Sequence, residues 1–138
     1  MEKLLKIPYT VFNNDWDLLQ QFLVRRGNPR YEIVGDVDLN NRKDIFDLGN
    51  LVRVYGDFDL AETQIESLEN LEYVSGTLGL RKTPIQSLGS LEYVGGYLNL
   101  QWSSIQSLGN LQYVGTIILS KSHQIPKEQL TKFKIYYW

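Results

Sequence analysis

The sequence predicts an α/β-type solenoid with a parallel sheet of about five repeat strands. Two observations predict it: a repeat of twenty residues, and an alternation of apolar residues after a glycine in each repeat. Residues 67–86 read SLENLEYVSGTLGLRKTPIQ and residues 87–106 read SLGSLEYVGGYLNLQWSSIQ, which are identical at 11 of 20 positions. Segments 47–66 and 107–126 continue the same frame, and a weaker partial copy begins at Gly35. Because one such unit cannot bury its own leucines, the units must stack.

Each repeat combines two apolar patterns. Leu78 and Leu80 alternate with polar or small residues, which predicts a half-buried strand. Before them, Leu68, Leu71 and Val74 recur every three residues, which predicts a tight 3₁₀-like or irregular helical turn. The sequence therefore predicts one strand and one turn in each coil.

The segments outside the repeats predict elements that cover the two ends of the solenoid. After Asn13-Asn14-Asp15, the segment WDLLQQFLVRRGNP is typical of a capped helix with Trp16 on its apolar face. Pro126 precedes a second, short helix, and the alternation over 133–137 predicts a final edge strand. Such elements keep leucines and unpaired backbone groups from being exposed at an open coil. The predicted organisation is a single domain over 1–138, with an N-terminal cap at 1–32, repeats at 33–126 and a C-terminal cap at 127–138.

The pattern L-x-L-x-x-(N/T/S)-x-(I/L) recurs at 58–65, 78–85 and 98–105, with Phe58 in its first position once. In this pattern the chain resembles leucine-rich repeat proteins. The phrase SLGNLxYVGGxLxL resembles the short twenty-residue repeats of that family encoded by bacteria and their viruses. The family's asparagine is replaced by hydroxyl residues, namely Thr63, Thr83 and Ser103. The resemblance covers about residues 33–126 and implies a side-chain ladder built from hydroxyls.

Composition argues against most chemistry. Fourteen basic and sixteen acidic residues give a net charge of −2, which disfavours direct binding of nucleic acid. No apolar run approaches the ~20 residues that cross a bilayer, so no membrane partner is expected. The chain has no cysteine and one histidine, His123. We therefore expect no catalytic residue, no metal and no cofactor. The charged start of the chain lacks the apolar core of a signal peptide, which predicts a cytoplasmic protein, in the host cytoplasm if it is viral.

The side chains between the buried strand positions should form one exposed face. This face is acidic at its N-terminal end and aromatic and apolar near its C-terminal end. Polar, charged and aromatic side chains on one face are typical of a protein-binding surface. The predicted partner-binding residues are Asp36, Asp38, Asp57, Asp59, Arg81, Tyr97, Asn99, Gln101, Trp102 and Ile118.

The acidic end of this face has two interpretations. In a stacked sheet Asp36 would lie beside Asp57, and Asp38 beside Asp59, about 4.8 Å apart. Two such charges repel by about 1 kcal/mol in water. Later coils carry other residues at these positions, so the fold does not demand the repulsion. The aspartates are either a docking patch for a basic partner or a solubilising end of the sheet.

The aromatic end also has two interpretations. Tyr97 and Trp102, with Ile118 on the following coil, have the composition of an interface hot spot. Alternatively, the tail at 135–138 folds back over Ile118 and makes it part of the core.

Tyr73, Tyr93 and Tyr113 occupy one phase of the repeat. We expect a stacked structural ladder there rather than a platform for bases or sugars. A platform for single-stranded nucleic acid also needs a cationic groove, whereas Glu72 and Glu92 precede two of the tyrosines.

The segment at 36–47, DVDLNNRKDIFD, partly matches a calcium-binding loop. Its aspartates have the spacing of EF-hand ligands, but Asn41, Lys43 and Asp47 occupy the positions that require glycine, an apolar residue and glutamate. The strand repeat already accounts for the Asp-x-Asp alternation, and we expect no metal site.

These features predict a non-catalytic module that binds another protein with a basic surface. The resemblance to bacterial and viral repeats suggests a sharper version, a small inhibitor that occupies a host defence protein. The alternative is a structural or self-assembling repeat protein. The chain itself is expected as a monomer or as a homodimer through the solenoid edges. A hydrolase that uses a pair of acids is the third alternative.

Overall fold

The computed structural model describes residues 4–138, and residues 1–3 of the predicted N-terminal cap lie outside this range. Within it the chain forms ten strands, two α-helices and one short 3₁₀ helix. In chain order the elements are β1 (Leu5–Pro8), the 3₁₀ helix (Tyr9–Phe12), α1 (Trp16–Arg25), β2 (Tyr31–Val34), β3 (Val37–Asp38), β4 (Leu51–Tyr55), β5 (Phe58–Asp59), β6 (Tyr73–Val74), β7 (Leu78–Gly79), β8 (Tyr93–Asn99), β9 (Tyr113–Leu119), α2 (Lys127–Leu130) and β10 (Ile135–Tyr137).

The strands form two parallel columns along the solenoid. Column one contains β1, β2, β4, β6 and the first residues of β8 and β9. Column two contains β3, β5, β7, the last residues of β8 and β9, and finally β10. Equivalent residues of successive repeats are in register, as Phe58, Leu78 and Leu98 are in column two. The predicted stacking of twenty-residue units is therefore confirmed, as a parallel solenoid of about five coils.

The apolar residues of the repeat fill a continuous core between the columns. Leu78, Leu80, Leu98 and Val94 have no measurable exposure, and the buried cluster runs without a break from Ile7 to Leu130. Among the described residues, the large side chains that remain exposed lie mainly at the ends of the solenoid and at its corners.

The expected tight turn forms in only the first part of the Leu-x-x-Leu-x-x-Val segment, and the part that ends at Val74 is a strand rather than a helical turn. Leu68 and Leu71 bracket a turn closed by the Leu71 N–H, which donates to the Leu68 carbonyl at 3.1 Å. The chain then extends, and Tyr73 and Val74 form β6 in column one. Extended backbone is favoured because its N–H groups bond to the preceding coil: the Ser75 N–H donates to the Val54 carbonyl at 3.0 Å. A helical turn would leave these carbonyls of the preceding coil without partners.

The predicted helix after Asn13-Asn14-Asp15 forms as α1. The Asp15 carboxylate accepts hydrogen bonds from the Asp17 and Leu18 N–H groups, which are otherwise unpaired at a helix start. Trp16 is buried, and its ring lies 6.5 Å from the ring of Phe58 in the core. The predicted second helix and last strand are α2 and β10.

Glycines occupy the corner between the two columns because adjacent coils approach closely there. A Cβ atom on Gly115 would lie 2.7 Å from the Gly96 carbonyl oxygen and 2.9 Å from that of Gly95. Gly115 of β9 thus faces two glycines of β8. The last repeat is one residue shorter than the one before it, and the strand register therefore shifts between Val94 and Tyr97. The corner therefore requires residues without side chains.

A second turn in each coil uses a residue with positive φ. Gly49, Gly89 and Gly109 occupy this position with φ between 54° and 62°, and Glu69 occupies it in the remaining coil with φ 53°. Left-handed backbone is unfavourable for residues that have a Cβ atom. In addition, desolvation by burial and the neighbouring Asp47 carboxylate raise the pKa of Glu69.

The variant Glu69→Gly should therefore raise the free energy of unfolding by about 1 kcal/mol. The change removes the backbone strain and the carboxylate that faces Asp47. Chemical denaturation at pH 7 measures the effect. Glu69→Ala is the control, because it removes the carboxylate and keeps the strain. A gain as large in Glu69→Ala as in Glu69→Gly would contradict the backbone explanation.

The hydroxyls at the family's asparagine position do not form a ladder between coils. The Thr63 hydroxyl donates to the Leu60 carbonyl at 2.8 Å, and the Thr83 hydroxyl donates to the Leu80 carbonyl at 2.8 Å. Each hydroxyl therefore closes a turn within its own coil, unlike the ladder implied by the resemblance. Both threonines are buried, so these bonds satisfy carbonyls that water does not reach.

Candidate functional site

The outward side chains of column two form a groove of about 550 Å³ along the solenoid, here called the groove. It is lined by Asp36, Val37, Asp38, Asn40, Asp57, Phe58, Asp59, Ala61, Thr77, Gly79, Arg81 and Asn99. Six of the ten predicted partner-binding residues lie here: Asp36, Asp38, Asp57, Asp59, Arg81 and Asn99. The strand register brings them together, because equivalent residues of successive coils lie side by side.

Two of the aspartates have a structural task that the sequence analysis missed. The Asp36 carboxylate accepts a hydrogen bond at 2.8 Å from the Asp57 N–H of the next coil. The Asp57 carboxylate accepts one at 2.8 Å from the Thr77 N–H. Thr77 continues the series, since its hydroxyl accepts from the Tyr97 N–H at 3.4 Å. The fold therefore favours a short side-chain acceptor here, although Thr77 shows that it need not be charged.

The other two aspartates close turns within their own coils. The Asp38 carboxylate accepts from the Asn40 N–H at 2.9 Å, and the Asp59 carboxylate accepts from the Ala61 N–H at 2.9 Å. Asn99 makes the same bond to the Gln101 N–H at 3.0 Å. An amide oxygen thus replaces a carboxylate at this position, so the turn accounts for the residue shape and not for the negative charge.

The four carboxylates form a concentrated negative surface. Asp38 and Asp59 are direct strand neighbours, and Asp57 follows Asp36 along the column. Within the described part of the chain, no lysine or arginine pairs with any of the four. At the spacing of adjacent strands each neighbouring pair repels by about 1 kcal/mol in water. A cationic ligand would relieve this repulsion.

Gly79 and Arg81 shape the middle of the groove. Gly79 lies between Asp59 and Asn99 in the strand register, and a Cβ atom there would come within 2.9 Å of an Asp59 carboxylate oxygen. The missing side chain deepens the groove beside Asp59. The Arg81 guanidinium lies 3.8 Å from the Glu62 carboxylate and 5.4 Å from the Trp102 ring centroid. It therefore forms a cationic rim opposite the acidic end.

Tyr97 and Ile118 lie in a neighbouring hollow of about 310 Å³, here called the aromatic hollow. It is lined by Tyr97, Thr116, Ile118, Lys134, Tyr136 and Trp138. β10 pairs with β9 and places Tyr136 beside Ile118, so the tail lies next to Ile118 rather than over it, and Ile118 stays half-buried. The tail thus extends the predicted face by one coil, as the repeat pattern alone did not indicate.

Trp102 and Gln101 lie at the corner after column two. Trp102 has φ 52° and is 56% exposed, and its ring centroid lies 5.4 Å from the Arg81 guanidinium and 5.7 Å from the Lys82 ammonium. Gln101 differs from the prediction of an exposed contact residue, because it is only 8% exposed. Its carbonyl accepts from the Lys82 N–H at 3.0 Å as the chain turns toward the core. Gln101 is therefore not part of the candidate binding surface.

The tyrosines of column one form the predicted ladder. The Tyr73 and Tyr93 ring centroids are 4.7 Å apart with planes 8° apart, and those of Tyr93 and Tyr113 are 5.0 Å apart. Tyr93 is stacked on both sides, Tyr73 has the tilted ring of Tyr55 on its other side with centroids 5.5 Å apart, and Tyr113 at the end of the row is 50% exposed. Stacking between coils is therefore their observed contact.

The residues with calcium-loop spacing are held in separate contacts. Asp44 pairs with Arg42 at 2.7 Å, and Asp47 accepts from the Gly49 N–H at 3.0 Å. Across residues 4–138, no three acidic or histidine side chains converge as a metal site would require.

Comparisons with known proteins do not identify a family. No family model, curated protein or solved structure matches the chain. In the described range, neither helix has the length and apolar character needed to cross a bilayer.

Proposed function

We propose that the protein is a non-catalytic binding module that holds a basic segment of another protein in the groove. The observation that carries this proposal is the row of four carboxylates on two adjacent coils without a cationic partner among the described residues. A lysine or arginine of a partner would supply that charge and offset the repulsion between neighbouring aspartates.

The dimensions of the groove favour an extended segment of a polypeptide. It spans four coils from Asp36 to Asn99, which is about 14 Å at the usual spacing of strands. An extended chain covers that length with about four residues. The partner would place its cations over Asp57 and Asp59, fill the space left by Gly79, and meet Asn99 and Arg81 beyond it.

Several features support binding over catalysis. A hydrolase with two acids holds them on either side of the bond that breaks, in a site that excludes bulk water. Here the carboxylates lie in one open row, and each accepts a hydrogen bond from a backbone N–H group.

We assign the solenoid to the leucine-rich repeat type on the resemblance of its repeats. Within that assignment, residues 1–32 and 127–138 act as caps, consistent with the packing of Trp16 on the core and of β10 on β9. The role as an inhibitor of a host defence protein stays a prediction. An acidic groove of this kind would compete with phosphates for a basic nucleic-acid channel.

The double variant Asp57→Asn/Asp59→Asn should weaken binding of the partner about tenfold while the fold is kept. Asparagine retains the Oδ1 acceptor that each turn or cross-coil bond requires, as Asn99 does in its own coil. Affinity capture from the native host with mass spectrometry identifies the partner, and calorimetry with the purified partner measures the dissociation constant. The wild-type affinity should also fall as salt is raised.

The matched control is Glu66→Gln/Glu92→Gln, which changes the net charge equally at exposed positions outside the groove. Its affinity should equal that of the wild type. If both double variants weaken binding to the same degree, net charge rather than the groove drives it. If neither affects a partner that binds the folded protein, the groove is not the binding site.

A further inference from the structure

The two ends of the sheet present edges of different character. At β1 the Leu5 N–H bonds inward to the Arg30 carbonyl, so the backbone groups of Lys6 and Pro8 face outward. Proline has no N–H group, and a charged lysine beside it discourages pairing with another strand. The N-terminal edge of column one is therefore protected against strand addition.

The edge at β10 has no proline, and its lysine, Lys134, stands just before the strand rather than within it. The Ile117 N–H donates to the Lys134 carbonyl, and the Trp138 N–H donates to the Leu119 carbonyl, both at 2.9 Å. Backbone bonds alternate in direction along a paired strand, so the N–H and C=O groups of Ile135 and Tyr137 face away from the sheet. Beside this open edge, Tyr136 is 57% exposed and Trp138 is 71% exposed. Exposed aromatic rings along an unpaired edge are typical of an interface.

We propose that β10 pairs with β10 of a second copy of the chain, antiparallel, about a two-fold axis at Tyr136. The outward residues select this register. Ile135 of each copy exchanges two backbone hydrogen bonds with Tyr137 of the other, which satisfies all four outward groups of each strand. No other centre of symmetry pairs both outward residues of this short strand.

The side chains complement one another in the same register. Lys134, Tyr136 and Trp138 line the aromatic hollow and therefore share one face of the sheet. Residues opposite each other in an antiparallel pair also share a face. Lys134 of one copy thus lies beside the Trp138 ring of the other, a favourable cation–π pair, and the two Tyr136 rings meet at the axis.

This self-complementarity is what favours a second copy over an extended segment of another protein. The contact is small, since the exposed parts of the aromatic rings on both copies amount to roughly 600 Å², below the 1,200 Å² of a standard interface. The dimer should therefore be weak and form only at high micromolar concentrations of the chain. The acidic end of the groove lies on the coils farthest from β10 and stays outside the contact.

Sedimentation equilibrium of the purified chain over a concentration series tests the proposal, with two variants at one position. Tyr137→Pro removes the outward N–H group and leaves the inward bonds of β10, and it should weaken dimerisation about tenfold or more. Tyr137→Ala also removes the ring but keeps the N–H group, and it should weaken dimerisation less than about threefold.

A chain that stays monomeric at several hundred micromolar overturns the proposal and leaves the edge to a segment of another protein. Equal loss in Tyr137→Pro and Tyr137→Ala also overturns it, because the ring and not the backbone edge would then hold the dimer. Hydrogen exchange of the wild type gives a second readout. The Ile135 and Tyr137 amides should become protected as concentration rises, and unchanged protection at concentrations where dimers form places the interface elsewhere.

Discussion

Replacing Gly76 with alanine should lower the free energy of unfolding by about 3 kcal/mol. A Cβ atom on Gly76 would lie 2.8 Å from the Gly56 carbonyl oxygen and 3.0 Å from its carbonyl carbon, and it would also collide with the Asp57 carboxylate. Because the obstacle is backbone of the adjacent coil, the coils must separate to admit the methyl group. Since domains of this size are stable by only about 5–15 kcal/mol, the loss should be obvious in a urea titration.

Gly89→Ala is the control for this experiment. Gly89 has φ +54°, yet no atom lies within 4 Å of the position that a Cβ would occupy. Its substitution should cost about 1 kcal/mol, from backbone strain alone. If the two variants were equally destabilised, close contact between coils would not be the reason for the glycines at the corner.

Replacing Tyr93 with alanine should lower the free energy of unfolding by about 2–3 kcal/mol. Tyr93 is the middle ring of the ladder, stacked on Tyr73 at 4.7 Å and on Tyr113 at 5.0 Å. Its removal breaks two ring contacts that join three successive coils, so the packing between these coils is weakened on the column-one side. Thermal denaturation measures the loss, and near-ultraviolet circular dichroism reports the disrupted packing of the tyrosines.

Two further variants isolate the stacking. Tyr93→Phe keeps the ring and should stay within about 0.5 kcal/mol of the wild type. Tyr113→Ala breaks one ring contact at a half-exposed position and should cost about 1 kcal/mol. Equal losses in Tyr93→Ala and Tyr113→Ala would show that the interior of the ladder is not stabilised by stacking on both sides.

The candidate site was predictable in its layout. Stacked repeats put equivalent residues side by side, so Asp59 and Asn99, two repeats apart, were expected in one row, and they are found there on either side of Gly79. Alternation then separated these outward residues from the leucines between them. Tyr73, Tyr93 and Tyr113 were likewise expected to stack because they share one phase, and their rings do.

The tasks of individual residues in that layout were not predictable in the same way. The charge repulsion between Asp36 and Asp57 was interpreted as a cost that the fold does not demand, whereas the Asp36 carboxylate binds the Asp57 N–H of the next coil. Gln101 was placed outside by the alternation, but the strand ends at Asn99 and the chain turns inward. Alternation holds only while the backbone is extended, and the end of a strand depends on its neighbours.

The sequence by itself determined the repeat length, the strand after each glycine and the face on which the acidic residues lie. These features follow from the spacing of the repeats and from the alternation of side chains along a strand, and both can be read from the order of the residues. Only the tertiary structure decided that the Leu-x-x-Leu-x-x-Val segment ends in a second strand and that β10 leaves an open edge. The reason is that a backbone N–H or carbonyl group is satisfied by whichever coil lies beside it, and that neighbour exists only once the coils have stacked.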